Sequence, residues 1–519
     1  MMPALATSIG AVYSSAQVRA FDAFAIDRLG LSGATLMTRA AAASLQALRA
    51  RWSAARELLI VCGGGLNGGD GYVLARLAQQ QGYRARVIAL VERERLAAEA
   101  ARAASEAEAA GVSILPMPPS TASLDAELAT ADVIVDALLG IGLQRDVAGV
   151  FATTIEAVNR SGRPVLSLDL PSGLCAESGV VRAVAVRANL TVTFIAAKAG
   201  LFFGAGPECA GDVVLAPLGI TPESLPAATP VARLLAPYSV PQGIARRRRD
   251  AHKGDAGHVL VVGGGEGMPG AARLAGLAAL RAGAGRVTVM AAPSSVSSIA
   301  AGTAELMVRS LGESAVAVRK NVSGFTGVQA IVLGPGLGRD DWGGAVYAAV
   351  RTFAERERIP LVLDADALHF LADSMSTVPA DAVITPHPGE AARLLGLDSG
   401  AAVQADRLGA LHSLVRRTSS LVVLKGAGTL VGASGSTPSL CLRGHPAMAA
   451  PGTGDVLAGI IGAVLAQGLE VRQAAEIAVV WHALAGERLA AGVDRGRLAS
   501  ELASCLPEVL GGLFSSVNS

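Results

Sequence analysis

The apolar residues in the first half of the chain fall in short runs of the length of a buried strand. These runs cover residues 58–61, 86–91, 133–136, 165–168 and 190–195. Alanine-rich segments with helical spacing of their apolar residues lie between most of them, for example at residues 71–81 and 96–110. This alternation predicts βαβ units, and therefore a parallel sheet covered by helices.

The pattern breaks at residues 221–249, where several prolines, including Pro222, precede four consecutive arginines. A second series of apolar runs follows at residues 259–262, 286–289, 330–333, 361–363, 382–384 and 421–424, and a helix-rich segment begins at Val456. We therefore predict two α/β domains, residues 1–225 and 250–519, joined by a Pro/Arg-rich linker of residues 226–249. The halves share no motif, which indicates a fusion of unlike domains rather than a repeat.

Composition agrees with a two-domain α/β protein. The 519 residues are too many for one compact core, and the 51% of hydrophobic residues against 17% charged argue against disorder. Aromatic residues make up only 3%, so the cores must consist of Ala, Val, Leu and Gly. The net charge of +1 gives no reason to expect binding to nucleic acid or to an anionic membrane. The arginine run at residues 246–249 is predicted to be a solvated linker; the alternative is a phosphate-binding arm.

Hydropathy and cysteine content bear on the compartment. Mean hydropathy is +0.46, but no run reaches the roughly 20 strongly apolar residues that span a bilayer, and we predict no signal peptide. The five cysteines are scattered, without zinc-ligand spacing or close pairs. We therefore predict a cytoplasmic protein, and we expect a homo-oligomer.

A glycine-rich segment, GGGLNGGDG at residues 63–71, follows the run at residues 58–61 and precedes a helical pattern. A strand, a glycine loop and a helix N-terminus in this order direct backbone N–H groups toward an anion, so we predict a phosphate-bearing ligand. The alternative is a tight turn that uses glycine only for its positive φ.

Polar side chains follow two further predicted strands. Asp136 opens DALLGIGLQRD, and Asp169 opens DLPSG, which also contains Ser172. Because parallel strands bring their carboxyl ends to one edge, we expect these groups near Asn67 and Asp70. Several oxygen ligands at one point indicate an alkali or alkaline-earth cation.

These motifs, with residues 17–41, resemble the N-terminal domain of the YjeF family, the NAD(P)HX epimerases. The resemblance implies a Rossmann-like fold and a potassium ion held by Asn67, Asp136 and Ser172. It also implies that hydrated NAD(P)H contacts Leu66, Asn67, Gly68, Gly69, Asp70, Gly140, Ile141, Gly142, Leu143, Gln144, Arg145, Asp146 and Asp169. Leu66 and Thr38 depart from the family pattern, which has Asn and Glu there. Epimerisation needs a proton donor and acceptor, and Asp169 is our candidate; the alternative is a turn-capping Asp.

The segment APGTGDVLAG at residues 450–459 predicts an anion hole at a helix N-terminus, with Asp455 beside it as a base. A plain helix cap is the alternative. Upstream, KGAGT at residues 425–429 offers a lysine and mobile amides for nucleotide phosphates, unless Lys425 is simply a surface residue of a β-turn. His387 lies between two prolines in TPHPGE, so it is held rigidly at the sheet edge.

Two further strand ends carry GPGLG at residues 334–338 and LDADAL at residues 363–368, with Asp364 and Asp366. Asp364 is a candidate to position Mg²⁺ through water. Together with HKGDAGHVLVVGGG, which begins at His252, these motifs resemble the C-terminal domain of the same family, a ribokinase-like ADP-dependent NAD(P)HX dehydratase. One departure is RGHP at residues 443–446, where an Asn-containing turn is common.

The resemblance implies that Asp455 is catalytic and that two groups of residues bind ligands. Those implied for the hydrated cofactor are Ala271, Gly336, His387 and Asp455. Those implied for ADP are Lys425, Gly426, Ala427, Gly428, Thr429 and Gly454. The expected function is repair: epimerisation of (R)- and (S)-NAD(P)HX, then ADP-dependent dehydration of the S epimer to NAD(P)H, AMP and phosphate.

Two other functions fit parts of the sequence. The C-terminal half could be a vitamin or sugar kinase, because GTGD also serves those enzymes on a ribokinase-like framework. The N-terminal half could be a binding module for a protein or nucleotide without chemistry of its own. The carboxylates Asp136 and Asp169 argue against that second alternative.

Overall fold

A computed structural model describes residues 9–118, 120–220, 224–226, 228–374, 378–379 and 381–516. The chain divides into two compact units, one up to Arg233 and one from Leu234 onward. This division falls inside the predicted linker, although Pro222 lies outside the described residues. The arginines at 246–249 are all exposed, as expected for a solvated segment. The predicted domain limits remain predictions.

The first unit is built around a parallel sheet. Its elements are β1 (Ala11–Val12), α1 (Ser15–Asp27), α2 (Gly33–Arg51), β2 (Glu57–Cys62), α3 (Leu66–Gln80), β3 (Arg84–Ala89), α4 (Ala98–Ala109), β4 (Ser113–Pro116), α5 (Thr121–Ala129), β5 (Val133–Ala137), α6 (Val150–Arg160), β6 (Val165–Leu168), β7 (Leu190–Phe194), α7 (Gly206–Ala210), β8 (Asp212–Ala216) and β9 (Ala232–Leu234). Among the described residues, seven strands pair in the order β4-β3-β2-β5-β6-β7-β8, all parallel. The short β1 pairs antiparallel with β9.

The apolar runs of the first half are confirmed as β2, β3, β5, β6 and β7. The interior strands β2 and β5 are almost entirely buried, which explains their continuous apolar sequence. The sequence did not reveal β4 and β8, which form the two edges of the sheet. Most of their residues are partly exposed; β4 has only two apolar residues before Pro116, and the run Val213–Ala216 of β8 was overlooked.

The second unit contains a larger mixed sheet. Its elements are α8 (Ser239–Gly243), β10 (His258–Val262), α9 (Pro269–Arg281), β11 (Arg286–Ala291), α10 (Val296–Gly302), β12 (Met307–Ser310), α11 (Ala315–Ser323), β13 (Ala330–Leu333), α12 (Asp341–Glu357), β14 (Leu361–Leu363), α13 (Asp366–Ser374), β15 (Ala382–Ile384), α14 (Pro388–Leu395), α15 (Gly400–Ala405), α16 (Arg407–Thr418), β16 (Leu421–Leu424), β17 (Thr429–Gly432), β18 (Ser439–Cys441), α17 (Thr453–Ala466), α18 (Val471–Ala490) and α19 (Ala499–Ser516). The strands lie in the order β18-β17-β16-β15-β14-β13-β10-β11-β12. Pairing is parallel from β16 to β12, and β17 and β18 are antiparallel.

Small residues allow the helices of the second unit to approach one another and the sheet closely. A Cβ atom at Gly459 of α17 would lie 2.2 Å from the carbonyl oxygen of Ala275 on α9. A Cβ atom at Gly462 would lie 2.6 Å from Val332 Cγ2 on β13. All residues of α17 from Val456 onward are buried, so this helix forms the centre of the core. Its N-terminus is thereby fixed at one end of the sheet. None of the described helices is long and apolar enough to span a membrane.

Candidate active sites

The glycine-rich segment of the first unit is the start of a helix rather than a loop before one. Helix α3 begins at Leu66, not at residue 71 as the pattern predicted. None of the glycines at residues 63–71 has a positive φ, so the tight-turn alternative is wrong. A Cβ atom at Gly68 would lie 2.1 Å from the Gly63 carbonyl oxygen, and one at Gly71 would lie 2.6 Å from Ala137 Cβ. These glycines are therefore needed for close packing of α3 on the ends of β2 and β5.

Four neighbouring strands of the first sheet end beside this helix start. The strands β2, β5, β6 and β7 are adjacent and parallel, so their carboxyl ends lie at one edge. Asp136 lies on β5, Asp169 directly follows β6, and Lys198 follows β7. The structure thus brings together the predicted carboxylates and adds a lysine that the motifs did not single out.

The three predicted potassium ligands surround the segment that follows β5. Both carboxylate oxygens of Asp136 accept hydrogen bonds from Ser172, from its hydroxyl at 2.5 Å and its amide at 2.9 Å. The Ser172 hydroxyl also accepts from the Leu139 amide at 2.8 Å, and the Asn67 side-chain amide donates to the Leu139 carbonyl at 3.0 Å. The Asn67 Oδ1 atom is buried and has no partner among the described residues. An unpartnered oxygen within a set of oxygen donors fits an alkali cation.

The electrostatics of Asp136 also favour a cation. The side chain is fully buried, and no described lysine, arginine or histidine forms an ion pair with it. Burial raises the pKa of Asp136, while hydrogen bonds from Ser172 and Ser167 oppose this rise. A bound cation would offset the cost of a buried carboxylate.

Asp169 makes long-range contacts instead of capping its own turn. Its carboxylate accepts hydrogen bonds from the Phe194 amide at 3.1 Å, from the Thr193 hydroxyl at 3.4 Å, and from the ammonium group of Lys198. The backbone of Asp169 has a φ of 64°, which is strained for a residue other than glycine. The turn-capping alternative is therefore wrong, and the strain fixes the carboxylate at the sheet edge.

Lys198 and two more carboxyl groups complete this cluster. The Lys198 side chain is 1% exposed, and its ammonium group also donates to the Phe194 carbonyl at 2.8 Å. Burial raises the pKa of Asp22 to about 6; the Lys198 charge opposes this rise and the Asp169 charge adds to it. Burial and the Asp169 charge raise the pKa of Asp70 well above its usual value. The cluster can therefore hold and exchange protons near neutral pH. The signal for Lys198 in the sequence was its place just after a strand that ends at the same edge.

The remaining predicted residues of the first site occupy its exposed rim. Gly140 packs against Asn67: a Cβ atom there would lie 3.4 Å from Asn67 Cβ. The loop through Asp146 is mostly exposed. Leu66, one departure from the family pattern, is 59% exposed at the helix start, and the Thr38 hydroxyl donates to the Ala34 carbonyl within α2. The Thr38 side chain therefore forms its hydrogen bond within its own helix.

The second site centres on the N-terminus of α17. Gly452 is the N-cap with a φ of 90°, and no side chain caps the helix. The amides of Gly454 and Asp455 have no hydrogen-bond acceptor among the described residues. Asp455 lies in the first turn, as the plain-cap alternative also has it, but the two free amides and the positive helix end are available to an anion. The half-buried His482 of α18 contacts this turn, with its ring Nε2 2.9 Å from the Thr453 carbonyl oxygen.

Lys425 connects this helix end to the sheet edge. Its ammonium group donates to Asp364 at 2.7 Å and lies 3.9 Å from Glu390. A Cβ atom at Gly454 would lie 3.2 Å from the same ammonium nitrogen and 3.6 Å from Asp364 Oδ2. The side chain of Lys425 is 18% exposed, so the surface-lysine alternative is wrong. The structure thus brings Asp364, Lys425 and the Asp455 turn together.

The charges at this site are strongly coupled. Burial and the Asp364 charge raise the pKa of Asp455 to about 7, although Lys425 opposes this. Burial also raises the pKa of Glu390 to about 7, with Lys425 again in opposition. Burial lowers the pKa of Lys425, but Asp364 and Glu390 outweigh it, so that pKa is raised. A carboxyl group with a pKa near neutrality suits a general base.

His387 is the N-cap of α14 and faces the same edge. Its Nδ1 atom accepts a hydrogen bond from the Gly389 amide at 3.0 Å, and Glu390 returns one by accepting from the His387 amide at 2.8 Å. Burial and the Lys425 charge lower the pKa of His387. Because Nδ1 accepts from the Gly389 amide, Nε2 is the ring nitrogen that can donate, and it lies 3.5 Å from Glu390 Oε1.

The glycine loop after β13 lies against the start of α9. Gly336 has a φ of 59°, and a Cβ atom there would lie 3.1 Å from Ala271 Cβ. Ala271 is partly exposed, whereas Ala272 is fully buried, so only Ala271 of this pair is accessible to a ligand. Asp366 holds the loop by accepting from the Gly338 amide at 3.0 Å.

The RGHP segment is fixed to α18 by side-chain contacts. Arg443 forms an ion pair with Glu487, whose carboxylate also accepts from the Gly444 amide at 2.9 Å. The segment that departs from the family pattern is thus held in place by Glu487 of α18.

The fold and the two sites define a two-domain α/β enzyme, Rossmann-like in its first half and ribokinase-like in its second. Residues 33–200 match the family model described as YjeF-related protein N-terminus, and residues 259–508 match the one described as NAD(P)H-hydrate dehydratase. The chain belongs to the family of bifunctional NAD(P)H-hydrate repair enzymes, as the resemblance of its motifs implied.

Individual relatives support this assignment over nearly the whole chain. The bifunctional NAD(P)H-hydrate repair enzyme Nnr of Coxiella burnetii is 42% identical over 95% of this chain and 97% of its own length. The enzyme of the same name from Escherichia coli is 38% identical over 96% of this chain and 94% of its own. A ribokinase-like superfamily protein of Enterococcus faecalis, a solved structure, has a TM-score of 0.50 and 27% identity, and covers 56% of this chain and 98% of its own.

Proposed function

We propose that each of the two sheet edges carries one step of NAD(P)H-hydrate repair. The first site interconverts the R and S epimers of the hydrated cofactor, and the second dehydrates the S epimer with ADP. The observation that carries this division is that two separate edges each combine a ligand-facing helix N-terminus with a buried carboxylate cluster. A single reaction would require only one such combination.

At the first site, Asp169 and Lys198 act as the acid–base pair. Epimerisation at the hemiaminal carbon requires the C6 hydroxyl to leave and return, or the ring to open and close, and either route moves a proton. The contact between Asp169 and Lys198 places a donor and an acceptor side by side at the sheet edge. The start of α3, residues 66–70, binds the phosphates of the hydrated cofactor, and the loop of residues 140–146 covers it.

Potassium binds at Asn67, Asp136 and Ser172, where it supplies the positive charge that these oxygen atoms lack. The proposal is supported by the unpartnered Asn67 Oδ1 and by the absence of an ion pair to Asp136 among the described residues. The role of these residues is to fix the segment after β5 and the start of α3 around the ligand.

Potassium is therefore expected to raise the melting temperature of the N-terminal domain. A ligand at about ten times its dissociation constant adds about 1.4 kcal/mol, or about 3 to 6 °C for a domain of this size. Differential scanning calorimetry in potassium chloride and in choline chloride of equal ionic strength measures this shift. Asn67→Ala should remove it. Equal melting temperatures in both salts would argue against the cation site.

At the second site, Asp455 accepts the proton of the C6 hydroxyl while that oxygen attacks the β-phosphorus of ADP. AMP leaves, and the uncapped amides of Gly454 and Asp455 stabilise the transferring phosphate. The ring nitrogen then expels phosphate from C6, and a proton is lost from the adjacent carbon, which restores NAD(P)H. The oxygen of the removed water ends in the phosphate.

We take the ligand contacts of the second site from the resemblance of its motifs to the family, and the grouping of these residues at one sheet edge supports them. Ala271, Gly336 and the Nε2–H of His387 contact the hydrated nicotinamide, while residues 425–429 and Gly454 bind ADP. Asp364 is our candidate to position Mg²⁺ through water, because it lies beside Lys425 and the Gly454 turn at the start of α17.

The decisive experiment is incubation of the purified protein with an epimer mixture of hydrated NADH, with and without ADP and Mg²⁺. Epimer interconversion without nucleotide, and full conversion to NADH with release of AMP and phosphate when ADP is added, are expected. A stable phosphorylated product from hydroxymethylpyrimidine, thiazole or a sugar would instead identify the C-terminal half as a kinase. A first domain that binds the mixture without interconverting the epimers would be a binding module.

Compartment and assembly are part of the same proposal. The five cysteines are free thiols, which suits a reducing cytoplasm. We also infer a homo-oligomer, for which light scattering of the purified protein is the direct test.

A further inference from the structure

A buried arginine lies behind the loop that we assign to ADP. Arg407 is the first residue of α16 and is 2% exposed. Its guanidinium group donates to the carbonyl oxygens of Leu424 at 3.1 Å, Lys425 at 3.3 Å and Gly428 at 3.0 Å. Gln404 accepts a further bond at 2.6 Å. The carbonyls at both ends of the 425–429 loop are therefore tied to one rigid, planar group.

The loop backbone is shaped around this group. Gly426 has a φ of 137°, and a Cβ atom there would lie 2.9 Å from the Arg407 Nη1 atom. The Gly426 carbonyl points back to the Thr429 hydroxyl at 3.0 Å. Gly426 and Ala427 are exposed, and their amides have no acceptor among the described residues. Because the neighbouring carbonyl groups bond to Arg407, the amides of Gly426 and Ala427 remain available to bind an anion.

The charge of Arg407 is not neutralised locally. No carboxylate lies within ion-pair distance of it in the part of the chain that the structure describes, and its Nε atom has no partner there. Lys425 differs, because its ammonium group already contacts Asp364 and lies near Glu390. A buried cation without a counter-ion is costly unless an anion approaches it. The incoming diphosphate is that anion.

We propose that Arg407 is a positioning residue for the polyphosphate of the nucleotide: it orients the amides of the 425–429 loop from behind and contributes an uncompensated positive charge. This inference rests on the proposed assignment of ADP to that loop. Arg407 acts through the loop and does not itself contact the reacting atoms.

Arg407→Met should raise the KM for ADP by at least about tenfold while kcat changes by less than about threefold, because the loop binds but does not carry the proton transfer. Arg407→Lys keeps the charge but lacks the planar fork, so it should recover only part of the affinity. Calorimetric titration should show that binding of ADP weakens more than binding of adenosine. Arg416→Met, an exposed arginine on the same helix, is the matched control.

The results of these experiments distinguish a failure of the proposed role of Arg407 from a failure of the proposed function. Wild-type protein that does not dehydrate hydrated NADH with ADP would refute the function itself. An active wild type with an unchanged KM for ADP in Arg407→Met would overturn the role of Arg407. Equal losses of affinity for ADP and for adenosine in that variant would also overturn it. A lower kcat and a lower melting temperature without a rise in the KM for ADP would do the same. If Arg407→Met does not fold, Arg407→Lys decides the question: a KM for ADP equal to that of wild type would contradict the proposal.

Discussion

Asp455→Asn is expected to reduce ADP-dependent formation of NADH by about 100- to 10,000-fold, because a carboxamide cannot accept the hydroxyl proton. The substitution keeps the size of the side chain and the start of α17. Epimerisation should be unchanged, since the carboxylates that serve it belong to the first unit. Both activities can be followed in one preparation, by absorbance of the reduced nicotinamide and by chromatographic separation of the epimers.

The pH profile gives this prediction a second readout. The pKa of Asp455 is raised to about 7, and a general base works only when it is deprotonated. In the wild type, kcat/KM for dehydration should therefore fall about tenfold per pH unit below about 7. Asp341→Asn is the control, because Asp341 is an exposed Asp in the first turn of another helix, α12. Dehydration at the wild-type rate in Asp455→Asn would exclude Asp455 as the base, and loss of both activities would exclude separate sites.

The two sites treat a buried carboxylate differently, and this explains why we assign potassium to only one of them. Asp364 is buried at a strand end and is neutralised by Lys425. Asp136 is buried at the equivalent edge of the other sheet, where hydroxyl and amide groups surround it but no described cationic side chain does. Asp364 thus has a counter-ion within the chain, whereas Asp136 needs a cation from solution.

Interior strands and strand-end motifs could be predicted from the sequence, because continuous apolar runs and glycine-rich segments are local signals. The runs that became β2, β5 and β13 are buried on both faces, so their sequences are unambiguous. The β17–β18 hairpin was missed because its strands have only four and three residues, although the loop joining them, ASGSTP, carries a turn signal. The start of α3 was misplaced because glycine has a low helix propensity, and close packing overrides it there.

The partners of the site residues depend on tertiary structure and could not be predicted. Lys198 is far from Asp169 in the chain, and only the order of β6 and β7 in the sheet brings them together. Arg407 resembles any arginine at a helix start, and its partners are backbone carbonyls, which leave no trace in side-chain patterns. The motifs therefore predicted which strand ends carry the two sites. Lys198 and Arg407, which contact the site residues, could be identified only from the fold.

Asp169→Asn is expected to reduce epimerisation by about 100- to 10,000-fold while ADP-dependent dehydration of the S epimer is retained. The amide cannot exchange the proton with Lys198, yet it can still accept from the Phe194 amide, so the strained backbone should persist. With an equal mixture of the two epimers, NADH should then form rapidly to about half of the total and stop near that level. Wild type should convert the whole mixture, and Asp125→Asn, an exposed residue of α5, should behave like wild type.

Lys198→Met separates proton transfer from structure at this site. It removes the buried partner of Asp169, so it should lower the free energy of unfolding by about 3 kcal/mol as well as slow epimerisation. Asp169→Asn leaves the buried Lys198 ammonium group without its carboxylate, so it should also cost stability, although the asparagine oxygen can still accept a hydrogen bond. If both variants lost stability and activity in the same proportion, the pair would be structural. Acid–base catalysis requires that kcat fall by a much larger factor in Asp169→Asn than its loss of stability explains, in protein that is still folded at the assay temperature; full epimerisation in that variant would exclude this role of Asp169.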